Sequence, residues 1–316
     1  MENFIEDGPR VICIDSQHLS TSMSTNINGP CFIEVPHFAR SGKMKFLLYF
    51  AQHSGSSISL ATSNSPYGPW EILTHSTLTI SSTHNFHDHI ASPHVEIDLE
   101  KERFLMYFHS RVIDSREQTT FLAESKDGIN FTPIALESRL PFYFRMQKMK
   151  DFFVGVSKGG DIFINQSRLF DKGWEFLGNP FIGHNETDKY HNYEGAIRHP
   201  SFFIHNGKLL ILYSRIGDTP ERIIKQQLNI TTNSCELELA VDELLFPVLD
   251  FEGANEVLTK SQPGIAISKE NALRDPHLVK CKDSLYLYYA FGGESGIGVV
   301  RLNSESESDK RLKPRD

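Results

Sequence analysis

The chain is short of cysteine, of positive charge and of long apolar runs, and each shortage removes a class of answer. Its four cysteines, Cys13, Cys31, Cys235 and Cys281, lie far apart with no CxxC pair. They read as reduced structural thiols, which suits a cytoplasmic protein better than a disulfide-stapled one. Lys and Arg total 32 against 40 Asp and Glu, a net charge of −8, with no basic stripe. Nucleic acid and anionic membrane surfaces are therefore not expected as partners. No stretch approaches the roughly 18 apolar residues that span a bilayer. The opening MENFIEDGPR has neither the basic nor the apolar region of a secretory signal. The expected location is cytoplasmic. Long amphipathic helical periodicity is missing as well.

What is present is strand. The 23 Phe and 10 Tyr suit strands better than helices. Around Asn206-Gly207, apolar runs at 201–204 and 209–214 form a strong hairpin signal, because both turn positions tolerate positive φ. A four-strand phrase recurs along the chain. It occupies 31–35, 45–52, 57–63 and 70–73, then 92–98, 103–110, 119–125 and 131–134. A third version runs through 143–149, 151–157, 160–167 and 174–178, and a fourth from Ile197 through 208–215, 221–228 and 235–240. The last, 274–280, 284–292 and 296–302, stops one strand short.

Repeats of about 50 to 75 residues built from four antiparallel strands predict a β-propeller. Five copies predict an all-β, five-bladed β-propeller as one domain over residues 1–302, followed by a polar tail at 303–316. The spare N-terminal strand at 10–15 (RVICID) supplies the missing strand of the last blade and removes an open edge. The first strand of each blade is expected to line the central channel.

The blade openings share a dialect: Asn28-Gly29-Pro30, Ser92-Pro93-His94, Tyr143-Phe144-Arg145, Arg198-His199-Pro200 and Arg274-Asp275-Pro276. Proline there fits the first position of a strand, where its missing N–H costs no ladder bond. Convergence of the blades is expected to gather Asn28, His94, Arg145, Arg198, His199, Arg274 and Asp275 at the channel mouth. His89, within the run at 84–90, is expected to roof it together with Glu194, residues 218–222 and Phe251-Glu252-Gly253.

These repeats, with the strings NGPCFIEVP, YFAQHSG, HIASPHVEID, YFRMQ, IRHPSFF, GDTPERI, FEGA and LRDPHLV, resemble the five-bladed propeller glycoside hydrolases. That group contains families 43, 32, 68 and 117, and the strings are most similar to an uncharacterised bacterial branch of it. The resemblance covers nearly the whole chain. It implies a hydrolase of carbohydrate metabolism, with a carboxylate pair flanking the glycosidic bond of a small carbohydrate and a third acid tuning the pair. The chain departs from the family-43 pattern. Asn28 stands where the first-blade aspartate is expected, and the neighbourhood of Arg145 replaces the third-blade aspartate. Glu194 is the counterpart of the fourth-blade acid. The acids are therefore sought among Glu194, Glu252, Asp275, Asp88 and Glu294, with Asp275, Glu252 and Glu194 ranked first. In that scheme Asp275 or Glu252 is the base and Glu194 the acid.

Arg145, Arg198 and Arg274 open consecutive blades. A convergent trio of guanidinium forks reads a carboxylate, which suggests an acidic sugar. His94, His199, His89 and Asn28 are the remaining expected substrate contacts. No cofactor is expected, although the channel leaves room for a divalent cation. His84, His87, His89 and His94 match no tight zinc spacing, so no metal site is expected from them.

Blander roles compete with each of these. The arginines can weld blade to blade through buried ion pairs, Asp275 can cap a turn, and Glu294 can serve a turn. Asp218, Glu221 and Arg222 can form a loop network. Three other functions compete with a glycosidase: a non-catalytic carbohydrate-binding propeller, a glycosyl-transfer or phosphorolysis enzyme, and a protein-interaction propeller.

Overall fold

The computed structural model describes residues 4–19, 26–40, 44–53, 55–82, 86–112, 117–181 and 193–304, apart from the side chains of Phe86 and His87. His84 and most of the polar tail lie outside the described residues.

Two short strands, β1 (Phe4–Glu6) and β2 (Val11–Asp15), open the chain. Blade 1 is β3 (Ile27–Glu34), β4 (Phe46–Gln52), β5 (Ser57–Ser63) and β6 (Glu71–Ile72), with β7 (Leu78–Thr79) also on β5. Blade 2 is β8 (Phe86–Asp98), β9 (Arg103–Val112), β10 (Gln118–Ser125) and β11 (Thr132–Ile134). Blade 3 is β12 (Arg145–Lys148), β13 (Phe153–Val156), β14 (Ile162–Asn165) and β15 (Glu175–Gly178). Blade 4 is β16 (Ile197–His205), β17 (Lys208–Arg215), β18 (Ile223–Ile230) and β19 (Cys235–Leu245). Blade 5 is β20 (Leu273–Cys281), β21 (Ser284–Phe291) and β22 (Gly296–Ser304), completed by the N-terminus.

Each blade is an antiparallel meander whose first strand is innermost, as the repeats predict. Closure is made by β2, whose Val11 pairs with Val299 and Asp15 with Gly296. The strand β1 extends the same seam, Phe4 opposite Ser304. Three residues are too few to show a period, so β1 is invisible in the sequence.

Each blade is sandwiched between neighbours, and its middle strands are apolar on both faces. All of β4 is buried, which is why it reads as a continuous apolar run and not as an alternation. Leu47, Tyr49, Phe104, Met106 and Phe108 form one interblade core between blades 1 and 2. Leu210, Leu212, Leu287 and Tyr289 form another between blades 4 and 5.

The prolines do not start the inner strands. Those strands begin earlier and carry a register slip at the proline, between Asn28 and Cys31, Ala91 and His94, Arg198 and Ser201, and Arg274 and His277. A bulge accommodates a residue that cannot donate to the ladder. The residue ahead of each proline is left-handed: Gly29 (φ 62°), Ser92 (55°), His199 (38°) and Asp275 (53°), with Tyr143 (59°) as the proline-free counterpart in blade 3. Five blades thus repeat one backbone kink at the same end of the channel. A kink of this kind swings its side chain out of the ladder. It is the device that builds the mouth.

Candidate functional site at the channel mouth

A cavity of about 610 Å³ opens at this end, lined by Asn28, Ser92, Arg198 and His199 from the blade openings and by His53, Asp88, His89, His109, Arg111 and Lys158. Among these, histidine dominates, and three of the imidazoles share one arrangement. His199 Nδ1 contacts Asp275 Oδ1 across 76 residues of sequence. His89 Nδ1 lies 2.7 Å from Asp88 Oδ1, and His53 Nδ1 lies 3.3 Å from Glu294 Oε2. Asp275 and Asp88 hold Nδ1 of His199 and His89, which leaves Nε2 as the ring nitrogen for a substrate or water, whereas Glu294 lies beside His53 at ion-pair distance without a hydrogen bond.

The His199–Asp275 pair is the most constrained. Asp275 is 1% exposed and accepts the Gly29 amide at 2.9 Å. Burial alone would raise its carboxyl. His199, the Gly29 amide and the charge of Arg145 outweigh burial and hold it at about 2. The carboxylate is therefore ionised, and His199 donates Nδ1–H to it. Burial lowers the His199 imidazole despite Asp275 beside it, so the ring is neutral with its lone pair on Nε2. Tyr143 stacks on that ring, centroids 3.9 Å apart and planes within 9°. The left-handed kinks at Tyr143, His199 and Asp275 bring these three side chains together. His109, also buried, lines the same cavity edge-on to His89 at 5.4 Å. Burial first, then the neighbouring His89, His199 and His53, push it well below the ordinary histidine range. Among the described residues, no group of three His, Cys, Asp or Glu side chains is placed to hold a metal ion.

The three arginines do not converge. Arg198 and Arg274 both donate from Nε to Glu221, at 2.8 Å each, and Ser214 adds a third bond to that carboxylate at 2.7 Å. All three charged side chains are at most 2% exposed. Arg198 also donates to the Gln262 carbonyl and Arg274 to Glu270. This network joins blades 4 and 5. Glu221, visible in the sequence only as part of a loop cluster, holds it together. Arg145 stands apart, 1% exposed, inside the channel below the mouth.

The ranked acids are dispersed. Asp275 is at the mouth, behind His199. Glu252 is buried between blade 5 and the N-terminus, where it accepts Arg10 Nη1 at 2.7 Å, the Tyr289 hydroxyl at 2.7 Å and the Val248 amide at 2.8 Å. Glu194 is 68% exposed and paired with Lys260 at 2.7 Å. Asn28 and His89 line the cavity, whereas His94 faces the channel below it. His53 and His109 were not singled out in the sequence. His53 sits after a buried strand and His109 within one, and nothing local marks either as facing a pocket.

No protein-family profile matches the chain. An uncharacterised protein of Acanthamoeba polyphaga mimivirus is 29% identical over 299 residues, which cover 88% of this chain and 83% of that one. Among solved structures, a thermostable family-43 glycoside hydrolase superposes with a TM-score of 0.61 at 16% identity, over 90% of this chain and 91% of that one. The GH43 enzyme from Xanthomonas citri, complexed with xylotriose, gives 0.59 at 11% identity over 89% and 88%. A GH43 β-xylosidase/α-arabinofuranosidase from a compost microbial metagenome, also with xylotriose, gives 0.59 at 11% over 93% and 95%. The chain has the five-bladed propeller fold of the family-43 glycoside hydrolases.

Proposed function

We propose that the protein cleaves a glycosidic bond of a small carbohydrate at the channel mouth, with histidine–carboxylate pairs performing the proton transfers. The observation that carries this reading is the trio of imidazoles around one cavity, each with Nδ1 against a carboxylate. His199 is the general base. Asp275 fixes its tautomer and stabilises the imidazolium formed when Nε2 takes a proton from the attacking water. His89, held at Nδ1 by Asp88 and protonated at both ring nitrogens, gives its Nε2 proton to the leaving oxygen. The fold likeness to enzymes solved with xylotriose supports a short oligosaccharide as substrate. An acidic group on that sugar would meet Lys158 on the cavity wall and Arg111, whose Nη1 also donates to Asp88 at 2.8 Å.

The test is turnover of a panel of aryl glycosides and short oligosaccharides, xylo-oligosaccharides and uronic acid conjugates included, with products followed by chromatography. His199→Asn is expected to lower kcat by about 100- to 10,000-fold with little change in KM. Wild-type turnover in that variant would remove His199 from the chemistry. A second reading, a carbohydrate-binding propeller without catalysis, is favoured by the burial of Asp275 behind His199. Calorimetric binding of a sugar with no product from any member of the panel would select it.

A further inference from the structure

Below the mouth, the channel holds a second, smaller cavity of about 230 Å³ lined by the inner strands of all five blades. Three buried polar atoms belonging to its lining residues have no hydrogen-bond partner among the described residues: Arg145 Nη1, His94 Nδ1 and Ser201 Oγ. Their residues are 1%, 6% and 2% exposed. Orphaned polar atoms at this depth are costly, and in native structures each calls for an explanation.

All three are donors. Arg145 has no carboxylate within ion-pairing distance among the described residues. Its Nη2 reaches only the Pro30 carbonyl at 3.4 Å and the Tyr143 hydroxyl at 3.3 Å. Cys31, next to it, stays a neutral thiol, since burial pushes it up to about 11. His94 accepts the fixed Met146 amide at Nε2, 3.1 Å away, so its proton resides on Nδ1, the orphaned atom. Ser201 contributes a hydroxyl free to turn inward. The nearby Glu96 does not neutralise the site, because it is held by Lys148 at 3.1 Å and reaches His94 only on the Nε2 side, at 3.4 Å. A buried guanidinium charge and two further unpartnered donors, on residues lining one cavity, are the makings of an anion site.

We propose that the central channel binds a small inorganic anion between Arg145 Nη1, His94 Nδ1 and Ser201 Oγ. This site is separate from the mouth and does not depend on the reaction assigned there. Its ligand sits against the one arginine of the blade-opening trio that makes no direct ion pair with a carboxylate among the described residues.

The probe is bromide. Crystals of the full chain grown without halide and soaked in sodium bromide are expected to give an anomalous peak in the channel, in contact with Arg145, His94 and Ser201. In solution, replacing gluconate by bromide at constant ionic strength is expected to raise the melting temperature by about 2 °C at about five times the dissociation constant. Ser201→Ala removes one donor without touching the guanidinium and is expected to weaken bromide by about tenfold or more. Water at the site with no anomalous peak would overturn the proposal. A peak unaccompanied by any bromide-dependent shift in melting would also overturn it, as binding at crystal concentration only.

Discussion

Glu221 determines what two of the three arginines do. With both Nε atoms committed to one carboxylate, Arg198 and Arg274 join blades 4 and 5. Taking one partner from a buried ion network leaves the others desolvated and unpaired, which costs about 3–5 kcal/mol. Glu221→Gln is therefore expected to lower the urea midpoint by that equivalent without changing the m-value. Glu194→Gln, at an exposed pair with Lys260, is expected to stay within about 0.5 kcal/mol of wild type. Equal effects of the two changes would mean that the network does not hold the blades. The kinked positions make a second residue-scale prediction. A non-glycine residue held left-handed costs roughly 1–2 kcal/mol, so Ser92→Gly, at φ 55°, is expected to raise the denaturation midpoint. Gly29→Ala is expected to lower it, because the added Cβ would sit 3.3 Å from the Ser92 Cα. The opposite signs would refute the strain argument.

At the scale of elements, the repeats were readable because each blade needs its own apolar middle strands and its own turn chemistry. The Asn206-Gly207 hairpin illustrates this, with φ of 48° and 76° at the turn and Ser201 to His205 paired with Leu212 to Lys208 as the two apolar runs predict. Closure by 10–15 was readable from a blade left one strand short. The bulges were not, because a proline at a strand's start and a proline in a mid-strand bulge have the same local sequence. The closing strand β2 buries Cys13 and Ile14 completely or nearly so, at 1% and 0% exposed. Ile14→Ala is expected to cost about 2–5 kcal/mol, in a single transition observed by both circular dichroism and tryptophan fluorescence. An early transition confined to blade 5 would show that the N-terminal strand closes its own blade without holding the ring. The half-exposed Ile5 of β1 serves as the control, and its replacement by alanine is expected to cost far less.

At the scale of the molecule, the ring juxtaposes residues that the chain separates, and this is why the mouth was only half legible. His199 and Asp275 were both marked by their blade openings, but their contact across 76 residues exists only once the ring closes. The pairing of His53 with Glu294 has no sequence signal at all. The same convergence stores histidines in neutral form. Burial is the leading cause that holds His94, His109, His199 and His277 below the ordinary 6.5. The unfolded chain takes up protons near 6.5, where the folded chain still refuses them, so the unfolded state binds more protons as the solution becomes acidic. Stability is then fully present above about pH 6.5 and is lost as pH falls toward the folded-state values, with a slope of up to about 1.4 kcal/mol per pH unit for each histidine. Asp275 acts in a lower window. Its contribution is present above its ordinary 3.8 and is lost as pH falls toward about 2. Thermal melts at constant ionic strength are expected to show a plateau near neutrality and a steep decline between pH 6.5 and 5. His277→Gln is expected to flatten part of that decline, since His277 faces the channel and takes no part in the chemistry proposed at the mouth. A melting temperature that rises on acidification through this range would mean that the four imidazoles are charged in the folded protein. Neither the tautomer of His199 nor that of His94 would then stand.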